Sequence, residues 1–488
     1  IFAPWNGLPL IRKSKICQDS AIQRTGRAGR LAKGYCIRLY SEADFISRDR
    51  FNIPEIERSD LSQFILDLLL SLDVSSLDKI LCELSFVTSP PQNAINAGRE
   101  CLKSIGFLDE KLQLTSLAYK SRFYPVHPRL SAMVLKAENI GCRSVGALLA
   151  AILEEGGIVV RKKQPKIFYE SDFEYQIEAI SYYLANRGDF REKYNDINLY
   201  RLKRVLELAK KLGFTPNHIP TDLNYINELL LCGFPDRVAR VLPKFKVKQE
   251  QAKKKGEVFI GGQYIFTLGK SAYLPKSSSV QGQNLVISPL AAELPEKGRQ
   301  QIFLDQVSTL TIKELKKFGQ GLLRYETAIE CGKNNILTKK IKTFYGEILI
   351  EESRTELEEG ELKYAIKNVI KVNFPGGFKD SDLLFQYHNS IDTLAKNGIN
   401  HRFPRFEGEF LELAIEVIAE GKNSTEEVYV SSLEEYFSEI LSCDDINLLN
   451  DLCPDCTKCH KNCHQNYTAR QKCPDNAHEQ PNCFNKSC

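Results

Sequence analysis

The stretch Ser20–Arg30, "SAIQRTGRAGR", concentrates arginine and glycine within eleven residues. Arginine is always ionised, and its planar fork of donors suits phosphate oxygens. Glycine carries no Cβ, so the backbone beside it can approach a ligand closely. Arg27 and Arg30 are three residues apart, so in a turn their side chains can converge on one point, and Gln23 can orient a water molecule. The spacing indicates a phosphate clamp, with an arginine- and glycine-rich surface loop as the alternative.

The whole chain has the composition of a globular protein with several cores. Its 488 residues give room for about three or four domains, and 43% are hydrophobic and 26% charged. The net charge of +4 neither demands nor excludes a nucleic-acid partner. No run of about 18 apolar residues and no basic-then-apolar leader occurs, which predicts a cytoplasmic protein without a membrane span. Because the first residue is Ile1, we expect the true start to lie upstream.

Residues 55–122 show helical periodicity followed by a short β pattern. Apolar residues from Leu61 to Leu72 recur at helical spacing after Ser59 or Asp60, either of which can cap the helix. A second helix is predicted from 94 to 105, and "FLDEKLQLT" (107–115) is predicted to be a hairpin. This order is typical of a winged helix, and a helical subdomain of another kind fits the pattern equally well.

The next segments change from helical to β periodicity. "VGALLAAILEEGG" (145–157) and "LYRLKRVLELAKKLG" (199–213) predict helices. "GEVFIGGQYIFTLGKSAYL" (256–274) alternates around Gly261-Gly262 and predicts a hairpin within a β-barrel or sheet domain. The run "KFKVKQEQAKKK" (244–255) is predicted to be a solvated loop, with a basic binding patch as the alternative.

The arginine- and glycine-rich stretch resembles motif VI of superfamily 2 helicases, in the form of the DEAH-box enzymes. "KGYCIRLYSEADF" (33–45), "SPPQNAINAGRECLKSIGFLDEKLQLTSLAY" (89–119) and "YPVHPRLSAMVL" (124–135) follow in the order seen in HrpB-type ATP-dependent helicases. The resemblance covers roughly residues 1–452 and is specific in the first 130.

The resemblance implies an α+β multidomain fold in six segments. It begins with the end of a RecA-like α/β domain, and the "KGYCIRLYS" segment within it is predicted to be a strand. The segments are the RecA-like remnant (1–54), a winged helix (55–122), a helical bundle (123–219), an OB-like β domain (220–330), a mixed α/β C-terminal domain of HrpB type (331–452) and a cysteine-rich tail (453–488).

The resemblance also implies the roles of individual residues. Gln23, Gly26, Arg27 and Arg30 would face the γ-phosphate of ATP, with Arg30 as the arginine finger and Arg27 as its partner. ATP and Mg²⁺ would be held with a second RecA-like domain, and hydrolysis would drive translocation along RNA or single-stranded nucleic acid. Arg237 is predicted either to contact RNA or to pair with an acid such as Asp236.

The chain departs from the family in several places. It contains no G-x-x-x-x-G-K-[ST] and no D-E-A-H sequence, so we expect it to carry half of an ATP site and to be inactive alone. A motorless nucleic-acid-binding module and a non-functional gene fragment are the alternatives. Ala118 stands where the family has glycine, which affects one turn. His127 is predicted to be structural rather than catalytic.

The tail from 453 to 488 contains no Leu, Ile, Val or Met and cannot form a packed core. Cys453, Cys456, Cys459 and Cys463 have the spacing of a ferredoxin cluster run, and cysteine also binds zinc. We favour a departure from the family's reading frame, with zinc and iron–sulfur binding as the alternatives. The seven cysteines outside the last 46 residues are predicted to be buried thiols in a reducing compartment.

Overall fold

A computed structural model describes residues 2–3, 8–10, 14–72, 77–160, 165, 167–216, 223–296, 299–331 and 337–357, and six positions between 391 and 417. The chain divides into two compact units. One comprises Ile1–Arg324 with Thr343–Ile350, and the other Tyr325–Lys342 with Glu351–Cys488. The cysteine-rich tail and most of the predicted C-terminal domain lie outside the described residues.

Among the described residues of the first unit, more lie in helices than in strands. In chain order the helices are α1 (Gln18–Thr25), α2 (Glu42–Ile46), α3 (Ser62–Leu72), α4 (Leu77–Glu83), α5 (Gln92–Ser104), α6 (Ser116–Ser121), α7 (Pro128–Asn139), α8 (Arg143–Glu154), α9 (Asp172–Ala185), α10 (Phe190–Lys193), α11 (Leu199–Lys211), α12 (Ile226–Gly233), α13 (Pro243–Lys254) and α14 (Ile312–Phe318).

In the described part of the chain the strands fall into three sheets. β1 (Phe2–Ala3) pairs with β2 (Leu8–Pro9). The strands that follow are β3 (Val238–Val241), β4 (Gly262–Phe266), β5 (Ser271–Leu274), β6 (Leu285–Ile287), β7 (Ala292–Glu296), β8 (Arg299–Phe303), β9 (Ser308–Thr309), β10 (Leu323–Cys331), β11 (Leu337–Tyr345) and β12 (Ile348–Thr355). The orders are β7-β8-β5-β4-β3-β6-β9 in the largest sheet and β10-β11-β12 in another.

Helices α3 and α5 and the turn after them confirm the predicted order of two helices and a hairpin. Leu108 forms an antiparallel bridge with Leu114, and the Asp109 amide donates to the Gln113 carbonyl at 3.0 Å. Ile65, Leu102 and Phe107 are fully buried in one cluster. The apolar faces of the two helices and the hairpin therefore share a core.

The predicted helices over 145–157 and 199–213 are confirmed as α8 and α11. Every residue of α8 from Val145 to Leu153 is buried, because the helix is apolar on all sides and has neighbours on all sides. Its core also contains Val205 on α11 and Val134 on α7. Helix α8 is thus the central helix of residues 126–234.

The predicted β region is a mixed sheet, in which β5 and β8 are parallel and the other neighbours antiparallel. A hairpin does lie in this segment, but the predicted turn at Gly261-Gly262 is wrong, and residues 258–260, its predicted first strand, are not a strand. β4 begins at Gly262, and the chain reverses at 267–270, where the Phe266 amide donates to the Lys270 carbonyl at 2.8 Å. Gly269, with φ +75°, supplies the left-handed residue of this turn.

Two local predictions are wrong. Residues 34–39 are not a strand, and Tyr35, Ile37 and Leu39 are each more than 80% exposed. A strand needs a hydrogen-bonded partner, and none pairs with this segment among the described residues. The run 244–255 is not a loop, because Pro243 starts a helix there and Gln249 anchors it.

A buried ion pair joins α7 to the segment before β3. The Arg129 guanidinium donates from Nη1 to Asp236 Oδ1 at 2.6 Å and from Nη2 to Oδ2 at 3.0 Å. Nη1 also donates to the Gly233 carbonyl at 3.0 Å. Burial opposes both charges, but their mutual attraction prevails, lowering the pKa of Asp236 and raising that of Arg129. The helices and the sheet are therefore held together at this point.

Asp236→Asn is expected to lower the free energy of unfolding by about 3–5 kcal/mol, because it leaves the Arg129 charge buried without its partner. The lowered Asp236 pKa means that the pair stabilises the fold above about pH 4 and that this stabilisation is lost as the pH falls through the lower folded value. Urea unfolding at pH 7 measures the loss. Glu110→Gln removes the exposed pair with Lys103 and is the control, with an expected loss of about 0–1 kcal/mol. Equal losses in the two variants would contradict the assignment.

Candidate functional site

Helix α1 carries the first half of the arginine- and glycine-rich stretch and is held by the segment around residues 46–50. The backbone amide of Gln18 donates to the Asp49 carbonyl at 2.9 Å, and that of Asp19 to the Arg50 carbonyl at 3.1 Å. The Gln18 side chain donates to the Arg48 carbonyl at 2.8 Å. Amides that lack helical partners are thereby satisfied, and the helix start is fixed.

The supporting segment is itself fixed by charge. Asp44 forms ion pairs with Lys15 and with Arg48, and these hydrogen bonds hold the pKa of Asp44 below its usual range. The Arg48 guanidinium also lies 3.7 Å from the centre of the Tyr40 ring. These contacts connect the residues just before α1, helix α2 and Tyr40.

The backbone after α1 forms a closed loop. The Gly26 amide donates to the Ile22 carbonyl at 2.9 Å, and the Arg27 amide to the Arg24 carbonyl at 3.1 Å. Gly29 has φ +89°, and a Cβ on Gly34 would stand only 2.7 Å from the Gly29 nitrogen. The loop therefore needs glycine at both positions, at Gly29 for its left-handed backbone and at Gly34 for its close approach.

The loop presents its arginines to solvent. Arg27 and Arg30 are exposed, and among the described residues neither forms an ion pair. Gln23 lies one helical turn before Arg27, and its Nε2 donates to Asp19 Oδ2 at 3.1 Å. Gln23, Gly26, Arg27 and Arg30 are thus all exposed, in α1 and the loop that follows it. Their roles in binding phosphate stay a prediction.

Arg237 lies elsewhere, inside the cluster of Arg129 and Asp236. It is 5% exposed, and its Nε lies 3.5 Å from Asp236 Oδ2. Burial, outweighing the attraction of Asp236, lowers its pKa. The structure therefore has the ion pair with Asp236 that was one of the two predictions for Arg237, and a contact with RNA stays a prediction.

His127 has partners that sequence reasoning did not find. Its Nε2 lies 3.1 Å from Ser62 Oγ and 3.5 Å from Asp60 Oδ2, while Nδ1 accepts from the Arg129 amide at 3.3 Å. Because Nδ1 is an acceptor, the neutral ring carries its proton on Nε2 and cannot take a proton from Ser62 there. The geometry differs from a nucleophile–base pair and supports the predicted structural role. Residues 62 and 127 are too distant in sequence for any periodicity to connect them.

Asp60 is the charged member of this cluster and starts α3. Its Oδ1 accepts from the Ser62 amide at 2.8 Å, as the capping prediction requires. Burial opposes ionisation, but the hydrogen bonds of His127 and Ser62 outweigh it and hold the pKa of Asp60 well below its usual range.

Asp60→Asn is expected to reduce the free energy of unfolding at pH 7 by about 1–2 kcal/mol, because the amide keeps the contact with Ser62 but loses the charge. The stabilisation by ionised Asp60 is present above about pH 4 and is lost as the pH falls through the lowered value. Urea unfolding at pH 7 and at pH 3 measures the difference. Asp67→Asn, on the exposed face of α3, is the matched control. A deficit that is the same at both pH values would contradict the role of the Asp60 charge.

A cavity of about 320 Å³ lies away from the arginine-rich loop. Its wall includes the ion pair of Lys136 with Glu228 at 2.8 Å and the thiol of Cys232, whose pKa burial raises to about 11. Of the other cysteines, Cys17 and Cys101 are buried but Cys36 and Cys82 are exposed, so the prediction of uniformly buried thiols is wrong. The raised pKa keeps the Cys232 thiol protonated, and a protonated thiol is a weak nucleophile. Lys136 and Glu228 neutralise each other, so these residues make the cavity a poor catalytic site.

The described residues contain neither a metal-binding cluster nor a membrane-spanning helix. No group of three or more His, Cys, Asp or Glu side chains is placed to hold a metal ion among them. In the same residues no helix is both long and apolar enough to cross a membrane. The candidate metal ligands of the tail, Cys453, Cys456, Cys459 and Cys463, lie outside the described part of the chain.

Curated relatives of the chain are RNA helicases. The chain is 41% identical over 134 residues to "ATP-dependent RNA helicase HrpA homolog" of Haemophilus influenzae, which is 26% of this chain and 10% of that protein. It is 38% identical over 143 residues to HrpA of Escherichia coli, 28% of this chain and 11% of that one. It is 33% identical over 238 residues to human "Probable ATP-dependent RNA helicase DHX35", 49% and 31% of the two lengths. No family model matches.

Solved structures show the same fold over most of the chain. The Escherichia coli DExH-box NTPase HrpB matches with a TM-score of 0.51 and 21% identity, over 92% of this chain and 50% of HrpB. A second HrpB structure, described as a DEAH/RHA helicase, has a TM-score of 0.51 and 20% identity. The chain is thus a homologue of the HrpA and DHX35 DEAH-box RNA helicases and has a mixed α/β fold like that of HrpB. It spans half the length of HrpB, and its matches to the two HrpA proteins cover about a tenth of their lengths.

Proposed function

We propose that this chain is the C-terminal portion of an ATP-dependent DEAH-box helicase that couples ATP hydrolysis to movement along RNA or single-stranded nucleic acid. The observation that carries the proposal is the exposed loop after α1. It presents Arg27 and Arg30 to solvent from a backbone that Gly29 and Gly34 fold tightly. Relatives described as ATP-dependent RNA helicases support the reaction.

The proposed domains follow the order of the elements. Residues 1–54 end a second RecA-like domain, 55–122 form a winged helix, 123–219 a helical bundle, 220–330 an OB-like β domain and 331–452 a C-terminal domain. The helices and bridge over 62–121 and the seven-stranded sheet support the second and fourth assignments. A helicase of this organisation would act in the cytoplasm.

The chemistry assigned to the loop is stabilisation of charge on the transferred phosphoryl group. Arg30 is the finger, Arg27 supports it, and Gln23 orients the attacking water through the side chain that now contacts Asp19. ATP and Mg²⁺ require a phosphate loop and acidic residues, and the sequence contains neither G-x-x-x-x-G-K-[ST] nor D-E-A-H. The 488 residues alone are therefore proposed to lack ATPase activity.

Arg30→Ala is expected to lower kcat of RNA-stimulated ATP hydrolysis by about 10³–10⁵, the contribution of an arginine finger. The measurement uses the full-length protein in which this chain occurs. Arg30→Lys keeps the charge but loses the planar fork, so we expect it to recover only part of the activity.

Arg24→Ala is the matched control, because Arg24 is an equally exposed arginine in the last turn of α1. We expect it to change kcat by less than about threefold, since a surface charge one turn away makes no contact with phosphate. Equal losses in Arg24→Ala and Arg30→Ala would mean that α1 is merely destabilised, and full activity in Arg30→Ala would overturn the finger assignment.

A nucleic-acid-binding module that works without its own motor is the second candidate. The strongly basic helix α13, on the β region, favours nucleic-acid contact independently of the arginine loop. The two candidates differ in whether the full-length protein hydrolyses ATP when RNA is added.

A further inference from the structure

Helix α13 concentrates the positive charge of the chain. Residues 243–257 contain six lysines and two glutamates, a net charge of +4, which equals the net charge of all 488 residues. The remainder of the chain is therefore neutral overall. A helix of 12 residues that carries this charge lies between β3 and β4, which are neighbouring antiparallel strands.

The inner side of α13 is fixed to the sheet region. Phe245 packs against the core cluster that includes Tyr264 and Val286, and its ring centre lies 6.2 Å from that of Phe259. Gln249 is 6% exposed, and its Nε2 donates to the Gln283 carbonyl at 3.3 Å. The helix is thus packed against the sheet region and is not a free basic segment.

One flank of α13, beside the face that carries Phe245, has a row of lysines. Lys244 and Lys248 of the helix and Lys255, its C-terminal capping residue, are spaced i, i+4 and i+11, so they lie along one side over about 16 Å. The ammonium nitrogens of Lys244 and Lys248 lie 5.1 and 5.5 Å from the centre of the Phe245 ring. All three lysines are exposed. An ion pair in this segment joins Lys246 to Glu250 at 3.9 Å, and within the described part of the chain no carboxylate pairs with the lysines of the row.

We propose that α13 is a docking surface for the phosphate backbone of single-stranded nucleic acid, with the row Lys244, Lys248 and Lys255 as its contacts. Lysine is a point charge without the planar fork of arginine, and a contact with phosphate carries no sequence information, so the contact is electrostatic and independent of sequence. The choice of nucleic acid as the polyanion rests on the proposed function. A membrane surface fits less well, because an interfacial helix needs an apolar outer face, whereas α13 turns Phe245 inward.

The test compares two triple variants of the 488-residue chain. One carries Lys244→Gln, Lys248→Gln and Lys255→Gln. The control carries Lys111→Gln, Lys120→Gln and Lys313→Gln, three exposed lysines on other elements. Fluorescence anisotropy measures the binding of oligouridylate and of a mixed-sequence RNA over a range of salt concentrations, and circular dichroism checks the fold.

The α13 variant is expected to lower the slope of log K against log salt by about 2, or about 0.7 for each phosphate contact on a single strand. Its affinity should fall at least tenfold at low salt, by the same factor for both RNAs, and the control should keep the parent's slope. Equal slopes in the α13 variant and the parent would overturn the α13 proposal and leave the helicase assignment standing. The same loss in both variants would also overturn it, since net charge alone would then explain binding.

Two further outcomes would also contradict the proposal that α13 binds nucleic acid. A parent chain that binds neither RNA would overturn both the α13 surface and the nucleic-acid part of the proposed function, while leaving the arginine finger to its own ATPase test. Vesicles containing phosphatidylserine provide the remaining comparison. If the α13 lysines govern vesicle binding and not RNA binding, the surface is a membrane contact and the nucleic-acid proposal fails.

Discussion

The bidentate contact between Arg129 and Asp236 is the interaction on which the first unit depends. It joins the N-terminal turn of α7 to the segment between α12 and β3, and the Gly233 carbonyl completes the arrangement. Because desolvating two charges is expensive, such a pair survives only where the surrounding backbone holds it precisely. The pair therefore links the helices that precede it to the sheet that follows it, and α13 packs against that sheet region.

Much of the helical part of the fold could be predicted, because helical periodicity is local. The apolar pattern of α8 and α11 is complete within each segment, and the structure confirms both. The strand at 34–39 could not be judged in this way, since a strand exists only if another segment pairs with it. The prediction of a loop at 244–255 was wrong for a related reason. The charges of this run indicate exposure, whereas the helix also depends on the packing of Phe245 and Gln249 against a distant part of the chain.

In the candidate site too, residues within one contiguous motif could be predicted, and residues that depend on distant contacts could not. Gln23, Arg27 and Arg30 could be named because their motif is contiguous and resembles one in a known family, and all three are exposed. For Arg237 the sequence left two partners open, RNA or Asp236, because a basic residue in a β region says nothing about burial. The cluster of Asp60 and His127 was invisible because its members are brought together by the packing of α3 against α7, and sequence spacing carries no trace of that contact.

The central claim is that Arg27 and Arg30 contact the γ-phosphate. A crystal structure of the full-length protein with ADP and aluminium fluoride, which imitates the transferred phosphoryl group, tests it most directly. Guanidinium nitrogens of both arginines are expected within about 2.7–3.2 Å of the fluoride or phosphate oxygen atoms. A nucleotide-bound structure in which both side chains still point into solvent would contradict it.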